Sequence, residues 1–161
     1  MDERIAELRD AITANYEDIR TLFDGLRDVD LAKVTASGRP LWKAAGHIVL
    51  SQAADVRVAR RLAAGKGAAP LRIVRLLDEL AAWRSMRAFA NATRADLLAA
   101  WENSFNALFS CINDVTEELS DSEGPDPGRV RRLALDYLRE TPARWQGHAA
   151  EIRRAIGAAA T

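Results

Sequence analysis

The chain has 161 residues, 29% of them charged, and its 23 basic and 23 acidic side chains cancel. That length suits one domain with a core of its own, and a zero net charge lacks the positive surplus that displaces counterions from nucleic acid, so nucleic acid is not expected as a partner. No apolar run approaches a membrane span, the charged start Met1-Asp2-Glu3-Arg4 lacks the apolar stretch of a signal peptide, and the single cysteine, Cys111, excludes an intramolecular disulfide framework. These readings point to a cytoplasmic protein without membrane partners. The doublets Arg60-Arg61, Arg131-Arg132 and Arg153-Arg154 read as solvated or snorkelling helix faces.

Ile5, Leu8, Ile12, Tyr16, Ile19, Phe23 and Leu26 recur every three or four residues, which predicts a long amphipathic helix. Asp28 to Gly38 loses that rhythm and reads as a loop. Pro40 suits the first turn of a second helix, where its missing N–H costs nothing. That helix carries Leu41, Ala44, Ile48, Val58 and Leu62 and stops at Gly65-Lys66-Gly67. Pro70 restarts the chain, and Leu71 to Phe89 is helical in composition, as one short helix or two. Thr93-Arg94-Ala95-Asp96 is an N-cap with an acid at the third helical position. It opens the clearest helix, through Leu97, Trp101, Phe105, Leu108, Ile112, Val115 and Leu119. Ser120 to Gly128, rich in Pro, Gly and acids, is a loop. The last region carries Val130, Leu133, Tyr137, Leu138, Trp145, Ile152 and Ile156. Pro142 either sits in the cap of a new helix or kinks a continuous one. With no strand-like alternation, the expected fold is all-α, a four-helix bundle with one or two extra short helices, in a single domain over 1–161.

The chain has only two histidines. His47 lies on the apolar side of the second helix and His148 on that of the last, and two such helices can face each other across a bundle. His47, Ser51 and Asp55 follow at i, i+4 and i+8, so they stack on one helix face beside the core. Thr141, Arg144 and His148 form a comparable row beside Trp145 and Ile152. Polar rows of this kind cost desolvation energy unless they are paired. Paired imidazoles suit a divalent metal, with Asp55 as third ligand or as the orienter of an imidazole; equally, each histidine can be a satisfied core or interface residue. Trp42 and Trp145 could wall a pocket near the histidines, while Cys111 reads as inert core.

Several patterns, in their order and spacing, resemble the DinB-like superfamily of small bacterial four-helix bundles. They are Trp42 with Gly46-His47-Ile48, then Leu77-Asp78-Glu79-Leu80 before Thr93-Arg94-Ala95-Asp96-Leu97-Leu98, then Arg139-Glu140-Thr141 followed by Trp145, His148, Ala149, Glu151 and Ile152. The resemblance spans nearly the whole chain. It implies a divalent metal held by three histidines, one from the second helix and two from a His-x-x-x-His pair near the C-terminus. It also implies dimers, and metal-dependent hydrolase or thiol S-transferase activity using low-molecular-weight thiols, or kinship with the cyclopropane-opening ClbS/DfsB group. His148 matches the second histidine of the pair, and the first falls on Arg144. His47 matches the helix-two ligand through Gly-His-Ile, whereas counting from Trp42 in the commoner family spacing would put that ligand at Leu50.

Two functions follow as expectations. In the first, zinc or nickel at His47 and His148 lowers the pKa of a bound water or thiol, and the resulting anion attacks a small electrophile. Asp55 orients a ligand or acts as base, in a pocket shaped by Trp42, Ser51, Arg144 and Trp145. In the second, a metal-free bundle binds a small ligand, or hides its polar row in a homodimer interface, and Arg144 pairs with Asp55 or with an anionic group of the ligand.

Overall fold

A computed structural model describes residues 3–64, 86–120 and 127–157. Their α-helices are α1 (Glu3–Asp24), α2 (Leu41–Ala63), α3 (Arg94–Ser120), α4 (Pro127–Arg139) and α5 (Thr141–Gly157). Short 3₁₀ turns occur at Asp28–Asp30 and Arg87–Phe89. Among the described residues there is no strand, only an isolated antiparallel bridge between Val34 and Pro40. The all-α expectation therefore holds. No helix among these residues is long and apolar enough to cross a membrane. The expected helix over 71–85, with Leu77-Asp78-Glu79-Leu80 and Trp83, lies outside the described residues, as do Gly65-Lys66-Gly67, Pro70 and most of the acidic loop.

α2 is the central helix and packs against α3, α4 and α5, while α1 closes the other side against α3 and α5. Its buried residues, among them Leu41, Ala45, Ile48, Val56 and Ala59, cover more than one face, as the neighbours on several sides require. The core centres on Trp101 of α3. Its indole N–H donates to the Tyr16 carbonyl at 3.2 Å, and its ring meets Phe23 and Trp145 edge-on at 6.2 and 5.6 Å. Trp101 thus ties α1 to α5 through one side chain whose polar end is satisfied.

The helix starts follow local chemistry. Thr93 and Asp96 form the expected reciprocal cap: the Asp96 amide donates to Thr93 Oγ1 at 3.2 Å, and the Thr93 amide to Asp96 Oδ2 at 2.8 Å. Pro40 stands just ahead of α2, at its cap position, rather than inside the first turn. It has no side-chain oxygen with which to cap. Instead the amides of Leu41 and Trp42 donate to the carbonyls of Lys33 and Leu31, at 2.8 and 3.0 Å. The preceding loop, which turns back on itself at Gly38 with φ of 78°, thereby satisfies the exposed amides of the helix. The choice at Pro142 resolves in favour of a new helix. Glu140 is a turn residue between α4 and α5, Thr141 Oγ1 donates to the Leu138 carbonyl at 2.8 Å, and Pro142 sits in the first turn of α5.

Gly46, within the Gly-His-Ile pattern, is buried where α2 meets the Arg87–Phe89 turn. A Cβ there would stand 3.0 Å from Phe89 Cγ and 3.1 Å from Met86 Sδ. Glycine at this point lets the turn close onto the helix next to His47. Gly46→Val should therefore destabilise the protein by roughly 1–3 kcal/mol through overpacking, measured by urea unfolding; wild-type stability would show that this contact is not close.

Candidate functional site

The two histidines meet. The rings of His47 on α2 and His148 on α5 lie 4.5 Å apart, centroid to centroid, at 78°. Both side chains are half-buried. Burial holds the His148 pKa below the ordinary imidazole value; the nearby Glu151 opposes this and Arg39 reinforces it. Burial therefore favours the neutral form of the His148 imidazole. Glu151, one turn further along α5, accepts from Ser37 Oγ in the loop before α2, and Ser37 is 2.9 Å from Thr35 Oγ1. Those hydroxyls, with Arg39 and His148 adding smaller effects, hold the Glu151 carboxyl below its usual pKa. The loop that caps α2 is thus fastened to α5 beside the imidazole pair.

Two turns along α2, about 12 Å from His47 by helical rise, Asp55 is buried, with 6% exposure. It accepts from the Tyr137 hydroxyl of α4 at 2.6 Å, and Arg144 Nη2 of α5 stands 3.3 Å from the same oxygen, Oδ1. Arg144 also donates from Nη1 to the Tyr137 oxygen at 3.4 Å, and its guanidinium carbon lies 4.6 Å from the Tyr137 ring centroid. Burial first, then the Asp55 charge, push the Tyr137 pKa up to about 12, so the phenol stays a proton donor. The Arg144 Nε and Nη2 atoms are buried and make no hydrogen bond. Donors left in that condition cost ~1–3 kcal/mol each.

Numbers along α2 fall from 55 to 47 as those along α4 and α5 rise from 137 through 144 to 148. The broken helix therefore runs antiparallel beside α2, with the charged triad at one level and the imidazole pair at the other. Ser51 lies half-buried between them. Trp145 is buried in the core against Trp101, and Trp42 is partly buried against the same core. Among the described residues no three of His, Cys, Asp and Glu stand together to hold a metal ion, so Asp55 does not complete a ligand set with the histidines. Tyr137 was not expected here. The signal was its spacing of seven from Arg144, which keeps both on one face even across the Glu140 break. Elsewhere in the core, Ser104 of α3 donates to Gln52 Oε1 of α2, joining two buried polar side chains that the sequence did not single out.

Comparison with protein-family models, with curated proteins and with solved structures finds no match.

Two outcomes follow. Tyr137→Phe removes the hydroxyl from a buried carboxylate and should lower stability by roughly 1–3 kcal/mol; an unchanged urea midpoint would show that Asp55 does not depend on it. For His148, the unfolded chain takes up a proton near pH ~6.5 and the folded chain only at lower pH. Stability from this group is complete above that value and falls as pH drops toward the depressed folded pKa. His148→Gln should therefore lose less stability between neutral and mildly acidic pH than wild type does; an equal loss would assign the dependence to other groups.

Proposed function

We propose that this chain is a DinB-like helical bundle that binds a small molecule between α2 and the α4–α5 helix without a resident metal ion. The observation that carries this reading is the pairing of Asp55 with Arg144 and Tyr137. The resemblance to the superfamily implies a histidine at position 144, and this chain has arginine there. Arg144 lies one turn before His148 on the same face, ~6 Å away at the Cβ level. A divalent ion beside His148 would share this face with a fixed cation, which repels it. The carboxylate that would offset it is already engaged by two partners. The set His47, His148, Asp55 therefore does not fit a three-ligand metal centre.

In this reading the imidazoles serve as hydrogen-bonding groups, Tyr137 as a held proton donor, and Arg144 as the fixed cation of the site. No covalent step is required of them. One observation favours the second reading, a metal-dependent hydrolase or thiol S-transferase: the two imidazoles face each other at 4.5 Å, and neutral imidazole suits zinc or nickel.

Metal analysis of untagged protein separates the two. The binding reading expects zinc and nickel far below one per chain after incubation with either ion, in wild type and His148→Ala alike. Near-stoichiometric metal that is lost in His148→Ala would overturn it and establish the metal-dependent one.

A further inference from the structure

The loop ahead of α2 is built as a unit of its own. Val34 and Pro40 pair in an antiparallel bridge, and the Thr35 amide donates to the Arg39 carbonyl at 2.8 Å. The Gly38 amide donates to the Thr35 carbonyl at 2.9 Å, and the Arg39 amide to Thr35 Oγ1 at 3.3 Å. These backbone groups are satisfied inside the loop, so residues 34–40 keep their shape without support from the helices. On either side, Leu31 and Leu41 are buried in the core and fix the base. The tip has no such anchor. Val34 is 62% exposed, Ala36, Ser37, Gly38 and Arg39 are exposed as well, and neither Val34 nor Ala36 belongs to the hydrophobic core. A segment that buries so little apolar surface stays in place through its polar fastenings. Here the fastening is to Glu151 of α5, which accepts from Ser37 Oγ and is also acted on by the Thr35 hydroxyl.

The loop therefore leaves from the start of α2 and is tied at its tip to α5. Pro40 stands two turns before His47, about 10 Å away by helical rise, and Glu151 stands one turn beyond His148. Because α2 and α5 run antiparallel, both attachments lie on the same side of the imidazole pair. The loop crosses the seam between the two helices at the end that the histidines occupy. Arg39 is carried with it, and its charge reaches both His148 and Glu151. From this arrangement we propose that residues 34–40 are a hinged flap that closes the histidine end of the α2–α5 seam and is held shut by the latch between Ser37 and Glu151. Opening turns the flap about its base beside Lys33 and Pro40. It breaks hydrogen bonds to one carboxylate, exposes no core leucine, and leaves the Leu31 and Lys33 carbonyls on the first amides of α2. The inference goes beyond the ligand-binding reading and does not depend on it: whatever approaches the imidazoles from that end, small molecule or metal ion, passes the flap.

The test uses diethyl pyrocarbonate, a small reagent that acylates accessible imidazole, on the full chain. His47 and His148 are the only two histidines, so peptide mass spectrometry follows each one separately. Ser37→Ala removes the latch donor at an exposed position without a change of charge. It should raise the acylation rate of the histidines several-fold, while Ser37→Thr, which keeps the hydroxyl, should stay near wild type. Amide order parameters supply the second readout. In Ser37→Ala those of Ala36 and Gly38 should fall toward the ~0.6 of flexible backbone, with those along α2 unchanged. Wild-type acylation rates in Ser37→Ala overturn the flap, as does an equal rise in Ser37→Thr. A faster rate with an unchanged tip, or with order parameters lowered all along α2, overturns it as well, because the access then comes from elsewhere or from general loosening.

Discussion

A carboxylate enclosed in a helical bundle has to be paired, and the pairing of Asp55 decides how three of the helices sit. Asp55 comes from α2, Tyr137 from α4 and Arg144 from α5, so one buried oxygen is the meeting point of all three. Moving any one of these helices by a turn, about 5.4 Å, would leave a buried charge without its partner, which costs ~3–5 kcal/mol. Apolar contacts tolerate sliding far better than this. The charged triad therefore sets the register, and the antiparallel run of α2 beside α4 and α5 brings His47 opposite His148 as a consequence.

The same logic extends along α5. Arg144, His148 and Glu151 follow at one-turn intervals on one face. Each engages a different part of the molecule: Arg144 the α2 and α4 side chains, His148 the His47 ring, and Glu151 the hydroxyl-rich loop before α2. That loop in turn satisfies the first amides of α2 through the Leu31 and Lys33 carbonyls. The start of α2 and the end of α5 are thus connected through polar contacts, while Trp101 and Trp145 join α3 to α5 in the core. A helix whose polar face is engaged so regularly has little freedom to rotate, and the site between α2 and α5 inherits that rigidity.

How much of this was legible in the sequence depends on whether a contact is set by a helix face or by the meeting of distant segments. The helices, the Thr93–Asp96 cap and the polar rows followed from periodicity and from backbone chemistry, and the pairing of Arg144 with Asp55 was one of two alternatives that charge alone suggests. Tyr137 was hidden because its apolar spacing made it a core residue like Leu138, and its hydroxyl acquires meaning only when Asp55 is brought opposite. Ser37 and Glu151 are 114 residues apart, and no local pattern links them. Pro40 was placed a step too far into α2 because proline's missing N–H permits the first turn but does not require it.

The residue at position 144 determines what kind of chemistry the site can support, because a guanidinium and a metal ion are different kinds of cation. A metal ion carries open coordination positions, and it makes a bound water or thiol acidic by direct bonding to the oxygen or sulfur. A guanidinium offers no coordination bond. It is monovalent, its charge is delocalised, and it acts through N–H donors of fixed direction. It can orient an anion and stabilise its charge, but it cannot generate a nucleophile from water. Within the triad, burial and the Asp55 charge keep the Tyr137 phenol protonated, and it donates to the Asp55 oxygen. What these three side chains supply is direction and charge of one sign at one point. In the ligand-binding reading proposed above, that is what the triad brings to recognition, in a bundle held in register by the same three residues.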